Sequence, residues 1–188
     1  MDATALLRPH LLDGRVVALG GGAGAERLGP PLAALGAATP QLPATLDEEQ
    51  LAAAVDPRTN ALLHDLRPAF GAGGGDDALR ATLDLAWVTV RAVANAAFLP
   101  DARGGKVTLI APPPDDADAS AAGVRAAAEN LARTLSIEWA RHGITPVAIT
   151  PGADTDDSQL AALAAYLASP AGDYFSGCRL ALGERVVA

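Results

Sequence analysis

The stretch Gly20-Gly-Gly-Ala-Gly-Ala25 is where residue types and spacing come closest to a binding chemistry. Glycines let a backbone approach an anion closely. A buried strand, Gly14-Arg-Val-Val-Ala-Leu19, running into such a loop and on to a helix is how a dinucleotide site begins. Gly20, Gly22 and Ala25 match G-x-G-x-x-A. Gly20 and Gly24 also match the first two glycines of G-x-x-x-G-x-G, with Glu26 at its last position. Gly20, Gly22 and Gly24 are therefore the candidate cofactor-binding residues. Glycine supplies 19 of 188 residues, so a match of this kind carries little weight alone. Two features oppose it. Pro30 and Pro31 lack N–H groups and keep the helix start away from the glycines, predicting a helix only from about Pro30 to about Leu35. No acid stands between Arg27 and Leu46 to hold a ribose, and Glu26 puts negative charge where phosphate should lie.

Other chemistries have fewer candidates. His10, His64, His142 and the single cysteine, Cys178, lie far apart with no metal-ligand spacing, and no serine sits in a nucleophile elbow. No metal site is expected, and one cysteine cannot form an intrachain disulfide. His64 and Asp65 adjoin on a predicted strand, so their side chains point to opposite faces. His64 reads as a hydrogen-bonded strand-end histidine. Asp47, Glu48 and Glu49, like Asp154, Asp156 and Asp157, read as solvated helix starts. Asp115, Asp116 and Asp118 lack the alternating ligands and turn glycine of a calcium loop, and read as a turn and helix cap.

The elements that would position these residues follow from periodicity. Val124, Ala128, Leu131, Leu135 and Trp139 recur every three or four residues on a helix over about Ser120–Arg141 that Gly143 ends. A second helix, about Ala78–Phe98, reads as apolar nearly all round, through Leu79, Leu83, Leu85, Trp87, Val88, Val90, Val93 and Phe98, and so is expected to be covered on more than one side. It follows a flexible connector, Phe70–Gly75, with Asp76 or Asp77 as its cap. A shorter helix begins at Asp47, and another spans Ser158–Ser169. Buried strands are read at Gly14–Leu19, Thr39–Leu46, Asn60–Leu66, Gly105–Ile110, Ile144–Thr150 and Asp173–Leu182.

Half the residues are hydrophobic and only 4% aromatic, so the core is expected to be built from Ala, Leu and Val. A net charge of −8 argues against nucleic acid or an anionic membrane as partner. The longest apolar runs fall short of a membrane span, and no basic-then-apolar signal opens the chain, so a cytoplasmic location is expected.

The passage Asn130-Leu-Ala-Arg-Thr-Leu135…Glu138…His142-Gly-Ile144, followed by Thr145-Pro-Val-Ala-Ile-Thr-Pro-Gly152, resembles the short-chain dehydrogenase/reductase family. The resemblance covers most of the chain and is strongest from Leu79 onward. It implies an α/β fold, one Rossmann-like doubly wound domain over residues 1–188 with a parallel sheet of about six strands. Thr39–Val55 resembles the family's third strand and following helix, so one strand–helix unit, which carries the adenosine-ribose contact, is missing. The insert that covers substrate after Pro151-Gly152 has no residues assigned to it.

Aligned on the family's Asn, Ser, Tyr and Lys tetrad stand Thr82, Ala111 or Pro112, Ala121 and Arg125. The family's Asn-Asn-Ala-Gly falls on His64, Asp65, Leu66 and Arg67. The one lysine, Lys106, has Ala102 four residues before it, and Tyr166 and Tyr174 are followed at that distance by Pro170 and Cys178, so Tyr-x-x-x-Lys exists in no register. A guanidinium at Arg125 supplies charge but cannot lose a proton. In the family the two long helices pack against their copies as a four-helix bundle. The resemblance therefore implies a non-catalytic subunit that associates with an active dehydrogenase/reductase paralogue or with itself. No cofactor is expected, or NAD(P) if the glycine loop still binds. The alternatives are an NAD(P)-dependent oxidoreductase acting on a carbonyl or alcohol through other residues, and a metabolite-sensing regulator.

Overall fold

The computed structural model describes residues 3–71 and 73–183. Five parallel strands pair in the order β1-β2-β3-β4-β5: β1 Val17–Gly20, β2 Ala61–Asp65, β3 Gly105–Ile110, β4 Ile144–Pro151 and β5 Cys178–Leu182. β1 to β4 are buried almost throughout, as a parallel sheet covered on both faces requires. β5 is only half-buried.

The helices are α1 Ala3–Leu6, α2 Gly29–Ala34, α3 Glu48–Ala54, α4 Arg67–Gly71, α5 Gly75–Val93, α6 Ala119–Glu138 and α7 Asp157–Ala168. Strand parity sorts the core into two layers. Ala18, Leu62, Val107 and Ala148 face α3, α5 and α6. Val17, Leu19, Leu63, Ile110 and Ile149 face α2 and α7. Small side chains such as Ala86, Ala121, Ala128 and Ala132 fill the α5–α6 layer, so helices and sheet approach closely.

The sheet has five strands where about six were expected. The missing one is the segment around Ala38–Gln41, which lies directly beside β1 and pairs only through the isolated bridges Val16–Ala38 and Leu19–Gln41. Pro40 and Pro43 deny it donors, and prolines belong at a sheet edge. Nothing intervenes between this segment and β1, as the absence of one strand–helix unit requires.

Local signals set most boundaries. Asp47 caps α3 by accepting from the Glu49 and Gln50 N–H groups, and Asp156 closes a capping box with Gln159 on α7. Asp118 caps α6 through Ser120 N–H and also accepts from Gly75 N–H at 3.0 Å, tying the starts of α5 and α6 together. Asp76 and Asp77 do not cap α5, which starts after Gly74 with no side-chain cap. The first two residues of the expected connector, Phe70 and Gly71, belong to the short helix α4. α6 gives way to a 3-10 turn and ends at Gly143 in the left-handed region.

α5 differs most from expectation. It stops at Val93 and continues as a π turn, Ala94–Phe98. It is covered by α3 and α6, but Arg80, Asp84, Trp87 and Arg91 form a charged outer stripe, with Trp87 stacked beside the Arg91 guanidinium and 39% exposed. No helix among the described residues is long and apolar enough to cross a membrane.

Candidate functional site

In an open parallel sheet, ligands bind outside the carboxyl ends of the strands. Here that edge is assembled from the glycine loop after β1, Asp65 and Arg67 after β2, Ala111 and Pro112 after β3, and Pro151 and Gly152 at the end of β4. Arg125 reaches it from α6 and Asp157 from the start of α7.

The loop has the backbone the sequence implied. Gly21, Gly22 and Gly24 all have positive φ, and a Cβ at Gly21 would lie 1.9 Å from the Asp65 carbonyl oxygen, so only glycine fits there. The glycines lead into a 3-10 turn, Ala25–Leu28, and then the six-residue α2 with Pro30 and Pro31 in its first turn. No long helix dipole points at the loop. Glu26 instead folds back, and its carboxylate accepts Gly24 N–H at 2.6 Å. Its own backbone N–H and that of Gly24 hold the carboxyl below the usual range. A fixed negative charge occupies one of the donors a pyrophosphate would need.

The next strand end is closed by an ion-pair network. Asp65 is fully buried and takes Arg67 in a bidentate grip, Nε to Oδ1 at 2.9 Å and Nη2 to Oδ2 at 2.7 Å. The remaining Arg67 nitrogen, Nη1, donates to Asp157 at 2.7 Å, and Arg27 lies 3.4 Å from the other Asp157 oxygen. Burial works against the Arg67 charge, but the Asp65 and Asp157 carboxylates outweigh it and raise its proton affinity. Asp65 thus pairs with Arg67 and not with its neighbour His64.

His64 corrects an expectation. It is fully buried on the α5–α6 side of the sheet, and neither ring nitrogen has a hydrogen-bond partner among the described residues. Burial pushes its pKa down to about 4, so the ring is neutral. It packs against Gly20, where an added Cβ would come within 2.6 Å of Nδ1.

Thr82, Ala111, Ala121 and Arg125, which the family resemblance aligns with the tetrad, carry no phenol or carboxyl group. Ala111 and Ala121 are completely buried alanines. Thr82 is buried on α5 with its hydroxyl unpartnered. Arg125 Nη1 donates to the carbonyls of Pro112 at 2.8 Å and Pro151 at 2.7 Å, clamping the ends of β3 and β4. Tyr174 is almost wholly exposed, and Tyr166 stacks edge-on against Phe175 beyond α7. At this edge the Glu26 carboxylate accepts Gly24 N–H, and Arg67 is paired with Asp65 and Asp157. The described residues contain no cluster of metal-ligating side chains.

Sequence reading missed the Arg67 network. Asp65-x-Arg67 at a strand end was visible, but Asp157 joins from 90 residues away.

No family model and no curated protein matches the sequence. Solved structures do match the fold. The citronellol catabolism dehydrogenase of Pseudomonas aeruginosa superposes with a TM-score of 0.74 at 19% identity, covering 94% of this chain and 96% of that one. A short chain dehydrogenase from Mycobacterium smegmatis gives 0.70 at 19%, covering 95% of each. A Beutenbergia cavernae protein, described as an NAD(P)-dependent gluconate 5-dehydrogenase and solved with bound NADP, gives 0.70 at 21%, covering 92% of this chain and 96% of that one. The fold is therefore that of the short-chain dehydrogenases, an α/β Rossmann-like sheet reduced by one unit.

Proposed function

We propose that this chain is a non-catalytic subunit on a short-chain dehydrogenase fold, pairing through α5 and α6 with an active dehydrogenase/reductase of the same fold or with a second copy of itself. The observation that carries the reading is the state of the tetrad edge. Buried Ala121 stands where the phenol belongs, and Arg125 stands where the amine belongs, its Nη1 held by two strand-end carbonyls. Proton transfer to a carbonyl needs a hydroxyl of lowered pKa near a cation, and no such pair exists among the described residues. Support for pairing comes from the outer faces of the two helices. Trp87 lies on α5 beside Arg91, and α6 presents Ala122, Ala126, Asn130 and the 77%-exposed Ile137 along one side. Small residues with a few apolar anchors permit close helix contact.

The test is mass measurement by light scattering on the purified chain, alone and co-expressed with a dehydrogenase of this fold from the same cell. A dimer or hetero-oligomer that Ile137→Lys together with Trp87→Lys dissociates is the expected result. A monomer under both conditions refutes the reading. A second reading, an NAD(P)-dependent oxidoreductase acting on a carbonyl or alcohol, is favoured by the positive-φ glycine loop and by the NADP bound in a similar structure. Titration with NADH and NADPH decides it, and absence of binding eliminates it. The cytoplasm remains the proposed location.

A further inference from the structure

At the opposite edge of the sheet, where the strands begin, a cavity of about 400 Å³ opens to solvent. Its charged walls come from successive strand starts. Arg15 lies two residues before β1, Asn60 immediately before β2, Arg103 and Lys106 at the start of β3, and Thr145 at the start of β4, with Asp173 closing one side. Three cations face one acid in a chain whose net charge is −8.

The acid is already engaged. Lys106, the only lysine in the chain and nearly buried, donates to Asp173 and to the Ser169 carbonyl, each at 2.5 Å. Arg103 donates to the Pro57 carbonyl and lies near enough to Asp56, itself paired with Arg58, to help hold that carboxyl below its usual range. Arg15 has no hydrogen bond or ion pair through its side chain among the described residues, although acids outnumber basic residues 22 to 14 in the chain. It lies near enough to Lys106 to add to the burial that lowers the lysine's proton affinity. The remaining groups are donors too. Asn60 accepts Val16 N–H at 2.9 Å with its carbonyl oxygen, and among the described residues neither its amide hydrogens nor the Thr145 hydroxyl has an acceptor. Like charges held together beside unused donors are repulsive in the empty state and attractive to an anion.

We propose that this cavity binds a small oxyanion of the phosphate class carrying two or more negative charges, free or as a phosphate ester. Arg15 and Arg103 supply the charge, and Asn60 and Thr145 fix orientation. Its volume suits a small molecule and excludes a folded partner. The site lies across the sheet from the tetrad edge and is independent of the function proposed above.

Isothermal titration of the full chain with inorganic pyrophosphate, and separately with inorganic phosphate and glycerol phosphate, at ionic strength balanced with sodium chloride, tests this. Saturable binding that weakens about tenfold or more in Arg15→Gln is expected, since one charge-assisted contact is worth about that much. If Arg15→Gln does not fold, exposed Arg103→Gln is judged by the same criterion. The glycerol phosphate arm distinguishes an ester ligand from a free anion. No saturable binding of any probe, or binding by the folded variant as tight as that of the unaltered chain, overturns the proposal.

Discussion

Stability between pH 7 and pH 5 offers the most direct check on the core, because one buried group dominates it. His64 is fully buried, has no hydrogen-bond partner among the described residues, and titrates near 4 where an ordinary histidine titrates near 6.5. A folded-state pKa below the unfolded value means that the unfolded chain binds the proton first as pH falls. The stability is fully present above about pH 6.5 and is lost as pH falls toward 4. Over the whole window the shift corresponds to about 3 kcal/mol, and between about pH 7 and pH 5 linkage gives a loss of about 2 kcal/mol. The perturbation is His64→Leu, which keeps similar volume and removes two unpaired ring nitrogens, so its stability at neutral pH should lie within about 1.5 kcal/mol of the original. Urea unfolding followed by circular dichroism at each pH supplies the free energies. The original chain should lose about 2 kcal/mol more than the variant on acidification over that window. Parallel profiles would refute the reasoning, because they would mean that the ring is protonated or solvated inside the fold.

Two further perturbations examine the carboxyl edge of the sheet. Arg67→Ala leaves the fully buried Asp65 carboxylate without its partner and should cost about 3–5 kcal/mol of unfolding free energy by urea titration, whereas Arg67→Ala with Asp65→Asn should recover part of that loss. Ala121→Tyr places a phenol at the position that the family resemblance aligns with the tyrosine, but Ala121 is completely buried in a close-packed layer. The added ring should lower stability by about 1–3 kcal/mol or more, measured by thermal unfolding, and should create no carbonyl reduction with NADPH.

Much of the architecture was legible because it depends on short-range signals. The intervals among Val124, Ala128, Leu131 and Leu135, the left-handed Gly143 and the acids Asp47, Asp118 and Asp156 fix three helices from sequence alone. The consequence of Pro30 and Pro31 was likewise readable, since a missing N–H acts locally. What was not legible depends on which face meets what. His64 looked like a residue that would find a partner, yet strand parity turns it toward Gly20 and the α5 layer, where no partner is offered. α5 as a whole reads as apolar when its leucines and valines are counted, yet its outer stripe is charged once α3 and α6 have claimed the other sides. Arg67 with Asp157, and Arg15 with Lys106, join residues about ninety positions apart, beyond the reach of any local pattern.

The two edges of the sheet make different use of charge. At the carboxyl edge Glu26 pairs with a backbone N–H, Arg67 with two acids, and Arg125 with two carbonyls. A bound ligand stabilises only the folded state, by mass action. Ion pairs and backbone clamps of this kind stabilise the fold with or without a ligand. At the amino edge the arrangement is reversed, with Arg15 unpartnered and Asn60 and Thr145 donating to no described residue. Unspent donors mark the proposed anion site, and they lie where the strands start.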